Sequence, residues 1–482
     1  MALLADKYWL AKRDTAEQRT TPATNIVSDK SIAVLPFIDM SEQKDQEYFS
    51  DGLSEELIDL LVKVPDLRVP ARTSSFYFKG KSEDIPTIAK RLLVANVLEG
   101  SVRKSGDHLR VTVQLIRADN GYNLWSETYD RQVEDIFKLQ DEIATAVVGA
   151  LKLKLLAPTT GSNRQTANPE AYNQYLIGRH LLLSENWVVD RSAAAAFGAA
   201  VKLDPNYAVA WAGLAEADFD AAEDVPSVAE LVAQRQQAQR EADKAIALQP
   251  DLADGYAVRG YIRSWGLWQF QAAGEDFRRA LALEPENYDV LVMYARAVLL
   301  PTGRLDEAVS IIEKALKTDP LNSSYWRRLG YDQTFRGNYP AAVDALQRSL
   351  EINPQQSNTA GLLAYAFILA GEPARALSIS QRATAEVFRQ QGAALAEHDL
   401  GHAQEAQRQL SELISKGSVT AAYQIAEVYA WWGDKDQAFR WLDSAYAQHD
   451  AGFTFVKGDP LLRGLRSDPR YKALLRKMNL PQ

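Results

Sequence analysis

The sequence of 482 residues predicts an α+β domain followed by an all-α solenoid of repeated helical hairpins. Over the C-terminal two-thirds of the chain, a pattern of small and bulky apolar residues returns about every 34 residues. A fixed period of this length is typical of proteins built from stacked supersecondary units. The N-terminal third lacks that period and shows strand-like alternation and a hairpin-turn signal instead. This part is therefore predicted to place helices on a small mixed sheet.

Composition narrows the classes of function. The formal net charge of -9 argues against a nucleic-acid partner, which usually requires a basic surface. The chain contains no cysteine, so thiolate catalysis, cysteine-based metal sites and disulfides are excluded. A mean hydropathy of -0.27 and the lack of a long apolar run predict no membrane span within this sequence.

The first 29 residues are predicted to be an apolar and basic start followed by a linker. The chain opens with Leu3 and Leu4 and then turns aromatic and basic at Tyr8, Trp9 and Lys12. This order is typical of a membrane helix where it leaves the interface, so the start resembles a remnant of one. A frayed amphipathic helix is the alternative interpretation. We expect contact with a membrane only through an anchor further upstream.

Residues 30–157 are predicted to form the α+β domain. Apolar and polar side chains alternate between residues 109 and 115, as they do in a strand with one buried face. The pair Asn120-Gly121 then supplies a strong signal for a β-hairpin. The polar residues 72–75 are interpreted as a strand-edge turn, with a recognition loop as the alternative. The predicted elements are strands at 31–37, 97–103, 109–115 and 122–129, and helices around 53–64, at 85–93 and at 133–155.

Each copy of the repeat has a small residue, a bulky apolar residue four positions later and a small residue after three more. The spacing i, i+4, i+7 places these residues on one face of a helix, and a proline five positions later ends that helix. A glycine five positions before the first small residue is predicted to cap the preceding helix. Four copies with the full pattern are Ala193-Phe197-Ala200-Pro205, Ala273-Phe277-Ala280-Pro285, Ala308-Ile312-Ala315-Pro320 and Ala342-Leu346-Ser349-Pro354. A fifth copy has a small middle residue, Ala238-Ala242-Ala245-Pro250, and three without proline begin at Ala376, Ala406 and Ala438. The capping glycines are Gly303, Gly337, Gly371, Gly401 and Gly433.

This period, with partner-helix residues such as Trp326-Leu329-Gly330, resembles the tetratricopeptide repeat over residues 169–450, in about eight hairpins. The resemblance implies a scaffold that binds a protein or peptide partner on its concave side. Aromatic residues and arginines there are typical binding hot spots, but aromatic residues at helical spacing also pack between helices. We expect about half of them to be buried. The predicted partner-binding residues are Tyr261, Trp265, Arg296, Arg327, Tyr331, Phe335, Tyr365, Tyr423 and Trp431.

The N-terminal part carries a second resemblance. The stretches SIAVLPF at 31–37, EYFSDGLSEELIDLL at 47–61 and VLEGSVRKSGDHLRVTVQLIRADNGYNLWSETYDR at 97–131 resemble the TolB-amino-terminal-like domain. In bacteria that domain is often fused to tetratricopeptide repeats, and residues 451–482, similar to the ends of such fusions, are predicted to form a capping segment. Fuller relatives often place an adenylate-cyclase or winged-helix domain and one membrane helix before this pair. Neither output domain lies in this sequence.

No catalytic or metal-binding constellation is predicted. Gly80-Lys81-Ser82 resembles the end of a phosphate-binding loop, but Ser75 stands where that motif needs glycine. His398 and His402 have the spacing of two zinc ligands, but Gly401 is predicted to break the helix between them. We therefore predict no catalytic residue, no metal and no cofactor. A hydrolase or transferase with a hidden site is the least favoured alternative.

These features together predict a non-catalytic protein–protein interaction, scaffold or sensory module of a bacterial membrane-linked signalling system. Partner segments are expected in the concave groove of the repeats. The alternative is the regulatory portion of an adenylate cyclase or transcriptional regulator whose output domain is missing from this chain. We expect the periplasmic face of the inner membrane if an upstream anchor exists, and the cytoplasm otherwise.

Overall fold

A computed structural model describes residues 28–151, 166–182, 190–222, 227–356, 358–417 and 421–480. The predicted apolar start and most of the linker lie outside these ranges, as do residues 152–155 of the predicted closing helix. The described chain has the predicted fold class, a small mixed sheet with helices followed by an all-helical solenoid.

The sheet of the N-terminal domain combines parallel and antiparallel pairs. Its order is β1-β3-β4-β5, and β2 pairs with β3 beside β1. The single strand predicted at 31–37 is instead divided in two, because Pro36 has no N–H to continue the ladder. The predicted hairpin at Asn120-Gly121 is confirmed, with Gly121 at φ +71°. The strands are β1 (Ile32–Val34), β2 (Ile38–Asp39), β3 (Asn96–Ser105), β4 (His108–Arg117) and β5 (Asn123–Gln132).

One face of this sheet is covered by two helices. Along β4 the apolar side chains at 109, 111, 113 and 115 are buried, as their alternation predicts, and they pack against leucines such as Leu57 and Leu139. Residues 72–75 were wrongly interpreted as a strand-edge turn, since they belong to a short helix. The domain helices are α1 (Glu47–Val62), α2 (Arg72–Phe76), α3 (Ile85–Leu92) and α4 (Ile136–Ala150).

The helices after residue 166 pair into eight antiparallel hairpins. The first helix of each hairpin is, in order, α5 (Pro169–Leu182), α7 (Ala208–Ala221), α9 (Ala253–Tyr261), α11 (Tyr288–Tyr294), α13 (Ser323–Arg336), α15 (Thr359–Leu369), α17 (Glu386–Asp399) and α19 (Ala422–Trp432). The second helices are α6 (Asp190–Leu203), α8 (Val228–Leu248), α10 (Phe270–Leu283), α12 (Leu305–Thr318), α14 (Tyr339–Ile352), α16 (Pro373–Ser380), α18 (Ala403–Gly417) and α20 (Lys435–Ala447). A final helix, α21 (Pro469–Lys477), packs on the eighth hairpin.

The repeat pattern explains how the two helices of a hairpin pack. A bulky residue of the second helix lies against a glycine of the first, as Leu346 does at Gly330 and Phe277 at Gly260. All five predicted capping glycines have φ between +75° and +86°, the left-handed conformation that favours glycine after a helix. Two first helices are widened, because α9 continues as a π-helix over Ile262–Gly266 and α11 over Ala295–Leu299.

The α+β domain contacts the repeat array at two separate places. Tyr172 and Leu176 of α5 join the hydrophobic core of the domain. Farther along, the Ser74 hydroxyl bonds the Asp319 carboxylate and accepts a hydrogen bond from the Leu321 N–H at 3.0 Å. Asp319 lies at the turn between α12 and α13, so the domain bridges the first and the middle hairpins.

Candidate functional site

The nine predicted partner-binding residues lie on the first helices of hairpins three, four, five, six and eight or on their π-helical extensions. Three of them, Tyr261, Phe335 and Tyr423, are buried, and the other six are half-buried. Six of the nine lie on one side of the array, because each contacts the same later part of the chain: Trp265, Tyr331, Phe335, Tyr365, Tyr423 and Trp431. That side is covered by residues of the same chain, so it does not form an open groove.

The covering residues are 450–466, which we name the C-terminal segment. It contains two short 3₁₀ helices, Ala451–Phe455 and Leu461–Leu465, joined by an irregular turn. This segment of seventeen residues contacts first helices or their extensions in hairpins three, five, six and eight. The array must therefore curve around the segment, and we name the covered side the concave surface.

Phe455 occupies an aromatic pocket on the concave surface. Its ring centroid lies 5.2 Å from that of Trp265, 5.4 Å from Tyr331 and 5.9 Å from Phe335. All three contacts are edge-to-face, a geometry that places the positive ring edge against a negative ring face. The pocket rings come from α13 and the π-helical extension of α9, whose widened turn carries Trp265.

Asp459 is held by two tyrosine hydroxyls. Tyr365 donates to Oδ1 at 2.6 Å and Tyr423 donates to Oδ2 at 2.8 Å. Glu427 is buried beside this carboxylate and accepts a hydrogen bond from the Gln391 side chain at 2.6 Å. Burial, together with the neighbouring Asp459, raises the pKa of Glu427 well above its usual range. Desolvation similarly raises the pKa of both tyrosines, so their hydroxyls stay protonated donors.

Further contacts hold the middle and the C-terminal part of the C-terminal segment. Lys457 donates to the Thr302 carbonyl at 2.9 Å, and Arg463 lies over the ring of Trp431 at 5.3 Å. Just before the segment, the His449 ring stacks on Trp268 with centroids 4.7 Å apart.

Charged groups lie behind the aromatic pocket. The Arg296 guanidinium stacks 3.8 Å from the Trp265 ring and 5.5 Å from the Tyr261 ring. Asp332 is fully buried, and burial raises the pKa of its carboxyl to about 7. Burial also lowers the pKa of Arg328 to about 9. Arg327, the ninth predicted residue, lies one helical turn before Tyr331 on α13.

The weaker motifs have other partners. Lys81 Nζ lies 3.0 Å from the ring centroid of Tyr77. His398 Nδ1 is 3.0 Å from its neighbour Asp399, whereas His402 Nδ1 is 2.6 Å from Glu397. Over the described ranges, no group of three histidine, aspartate or glutamate residues could hold a metal ion. The polar residues 72–75 contact the repeat array, as described above.

The prediction missed the residues that fill the concave surface. Phe455, Asp459 and Arg463 fall after the last repeat, where no period marks them. Glu427 and Gln391 were passed over because a single sequence does not distinguish a buried polar residue on a first helix from an exposed one. The available signal was the apolar, glycine-spaced stretch at 451–465, which is unlike an ordinary polar tail.

Two family models match parts of this chain. Residues 269–329 match a tetratricopeptide repeat, which confirms the predicted repeat type, and such repeats serve as protein-interaction scaffolds. Residues 28–146 match the model described as HilA/YgeH-like transcriptional regulator, second domain. This match covers the α+β domain and is not to a TolB model, so the TolB resemblance stays a prediction.

Curated relatives and solved structures share parts of the chain. A protein of Rhizobium meliloti (strain 1021) named "Putative adenylate cyclase 3" is 40% identical over 195 residues, which cover 40% of this chain and 33% of that protein. The mitochondrial import receptor subunit TOM70 of Rattus norvegicus is 26% identical over 170 residues, 35% of this chain and 27% of that protein. The chain thus spans a third or less of the length of these relatives.

The solved structure of YrrB, described as a TPR protein with an unusual peptide-binding site, is 18% identical. It covers 42% of this chain and 97% of its own, with a TM-score of 0.29. Across the described residues, no helix has both the length and the apolar character needed to cross a membrane.

Proposed function

We propose that this chain is a non-catalytic protein–protein interaction module that binds partner segments on the concave surface of its repeats. We further propose that it serves a bacterial membrane-linked signalling system. The observation that carries the first proposal is the C-terminal segment, because the concave surface already holds a polypeptide through edge-to-face aromatic contacts and tyrosine–carboxylate hydrogen bonds. These are the contacts that peptide recognition uses.

The experiment is capture of a partner by the full chain, followed by measurement of its affinity with purified components. Trp265→Ala and Tyr331→Ala should each weaken binding at least tenfold, because truncating an aromatic hot spot removes 2 kcal/mol or more, roughly. Tyr339→Ala is the matched control, since Tyr339 begins the second helix of the same hairpin. A partner whose affinity is unchanged by both substitutions on the concave surface would contradict the proposal.

A second candidate function is the regulatory portion of an adenylate cyclase or a transcriptional regulator. The 40% identity to the cyclase-named relative and the match to a transcriptional-regulator domain favour it. Sequencing the gene in frame upstream of Met1 tests this function. A coding region for a cyclase or winged-helix domain there supports it, whereas a stop codon next to Met1 contradicts it.

The proposed signalling role also implies a cellular location for the module. With an anchor upstream, the module would lie on the periplasmic face of the inner membrane, and without one in the cytoplasm. Fractionation of cells that express a tagged product of the whole gene distinguishes the two. Recovery only in the soluble cytoplasmic fraction would contradict the membrane link.

A further inference from the structure

The part of the C-terminal segment that contacts α9, α13 and α15 is short. We name residues 454–459 the tip. Two side chains of the tip, Phe455 and Asp459, make the ring contacts and tyrosine hydrogen bonds described above. The apolar residues on either side, such as Phe453 and Leu462, pack into the core of the eighth hairpin, as does Val456 within the tip, whose carbonyl accepts a hydrogen bond from the Tyr471 hydroxyl at 2.6 Å. Separating the tip from the concave surface therefore breaks these Val456 contacts as well, while Phe453 and Leu462 can hold the flanks in place.

We propose that the tip is an internal pseudo-ligand, displaced by a partner segment with an aromatic residue four positions before an aspartate. This inference rests on the proposed function and names the chemistry of its partner. The spacing comes from Phe455 and Asp459, which fill two receptor sites on the concave surface at once.

The receptor sites define which partner side chains fit. In the Phe455 pocket three rings contact one ring in edge-to-face geometry, an arrangement that an aliphatic side chain cannot reproduce. At Asp459, two hydroxyls donate to the two oxygens of one carboxylate. Hydrogen bonds to an ionised acceptor are stronger than neutral ones, so a carboxylate is favoured over an amide here.

Two features make the tip an imperfect occupant. Thr454 is fully buried, and its hydroxyl has no hydrogen-bond partner among the described residues. A buried unsatisfied hydroxyl opposes burial, because it loses its hydrogen bond to water without gaining another. Lys457 is half-buried, and desolvation lowers the pKa of its ammonium group. A partner segment with an apolar residue at the Thr454 position avoids the unsatisfied hydroxyl. An apolar residue at the Lys457 position avoids the desolvation of a cation but gives up the hydrogen bond to the Thr302 carbonyl.

The first test is peptide binding in trans. A fluorescein-labelled peptide of residues 452–461 is titrated with the full chain and with the full-chain variant Phe455→Ala/Asp459→Ala. The tip competes in the native chain at an effective concentration on the order of millimolar. We therefore expect at least tenfold tighter binding to the variant. Binding should be lost when Tyr331→Ala is added, or when the peptide lacks its phenylalanine and aspartate at the tip positions.

A second measurement leaves the contacts of Phe455 and Asp459 with the concave surface intact. Because the chain has no cysteine, Thr454→Cys introduces the only thiol, and this thiol is buried while the tip is bound. When the tip leaves, the unlabelled peptide can occupy the concave surface and keep the thiol exposed. The rate of thiol labelling should therefore rise several-fold with peptide concentration and reach a plateau. A peptide with valine at the Thr454 position should reach that plateau at lower concentration.

The outcomes separate this inference from the proposed function. Equal peptide affinity for the native chain and a folded double variant would overturn the pseudo-ligand, and so would labelling that the peptide does not change. A cellular partner that depends on Trp265 and Tyr331 but leaves Thr454→Cys labelling unchanged would also overturn it, while the proposed function would stand. A partner indifferent to Trp265 and Tyr331 contradicts the proposed function even if the peptide binds.

Discussion

At the scale of single residues, the tyrosine pair around Asp459 decides how firmly the tip is held. Tyr365→Phe and Tyr423→Phe each remove one hydroxyl donor to the carboxylate and leave the ring in place. A hydrogen bond to a charged group contributes roughly 1.5–3 kcal/mol. We therefore expect each variant to speed labelling of Thr454→Cys about tenfold or more. Tyr429→Phe is the control, because Tyr429 packs on Trp432 at 6.4 Å and should leave labelling unchanged.

Glu427 makes closure of the tip depend on pH. Its pKa is raised from an ordinary value of 4.5, first by burial and then by the Asp459 carboxylate. Asp450 adds negative charge, whereas the nearby tyrosines stay neutral. A carboxyl with a raised pKa in the closed state favours that state fully at low pH. The stabilisation is lost as pH rises through the raised value.

Labelling of Thr454→Cys should therefore accelerate as the pH rises well above the ordinary carboxyl value of 4.5, after correction for the reactivity of a free thiol. Glu427→Gln keeps the size of the side chain and removes its titration. In this variant the corrected rate should vary little with pH. An unchanged pH profile would show that another group controls closure.

At the scale of elements, the close packing between the two helices of a hairpin can be tested by adding a methyl group at the contact. A Cβ at Gly330 of α13 would lie 2.5 Å from Leu346 Cγ and 3.0 Å from the Ala342 carbonyl of α14. Gly330→Ala should therefore lower the free energy of unfolding by about 1–3 kcal/mol. Thermal unfolding, followed by circular dichroism, gives the midpoint for comparison.

Gly198→Ala is the opposite case. Gly198 lies within α6, and a Cβ there meets nothing within 4 Å. Alanine favours a helix over glycine by about 0.5–1 kcal/mol, so this variant should raise the midpoint. Shifts of the same sign in both variants would contradict the packing account.

The sequence is informative where contacts are local and repeated. The capping glycines were predictable because each lies five residues before a small residue, and the structure has all five in the left-handed region. The strand pattern of β4 was predictable because alternation is a property of neighbouring residues. By contrast, Tyr365 and Asp459 are 94 positions apart, and no local pattern links them. The filled concave surface was therefore beyond sequence reasoning, although six residues that contact the C-terminal segment are among the predicted partner-binding residues: Trp265, Tyr331, Phe335, Tyr365, Tyr423 and Trp431.

At the scale of the whole molecule, the α+β domain and the middle of the array form one continuous structure. The Ser74 hydroxyl is a donor to the Asp319 carboxylate, and burial raises the pKa of Asp319 to about 6. Ser74→Ala leaves that buried oxygen without this donor, which should destabilise the joint by roughly 1–3 kcal/mol. Hydrogen exchange should then increase at residues 319–322 and in α2 together. Exchange that rises in only one of them would contradict the joint.

The order of synthesis gives the C-terminal segment one more consequence. Trp265 leaves the ribosome 190 residues before Phe455, the difference between their positions. At about 5–20 residues per second, Trp265 emerges roughly 10–40 s before the side chain that covers it, and Tyr331 and Phe335 follow within that interval. During that interval an aromatic surface is open on a nascent chain whose first hairpins can already fold. Chaperones that recognise exposed aromatic residues therefore have a defined window in which to bind, and it closes when residues 450–466 emerge.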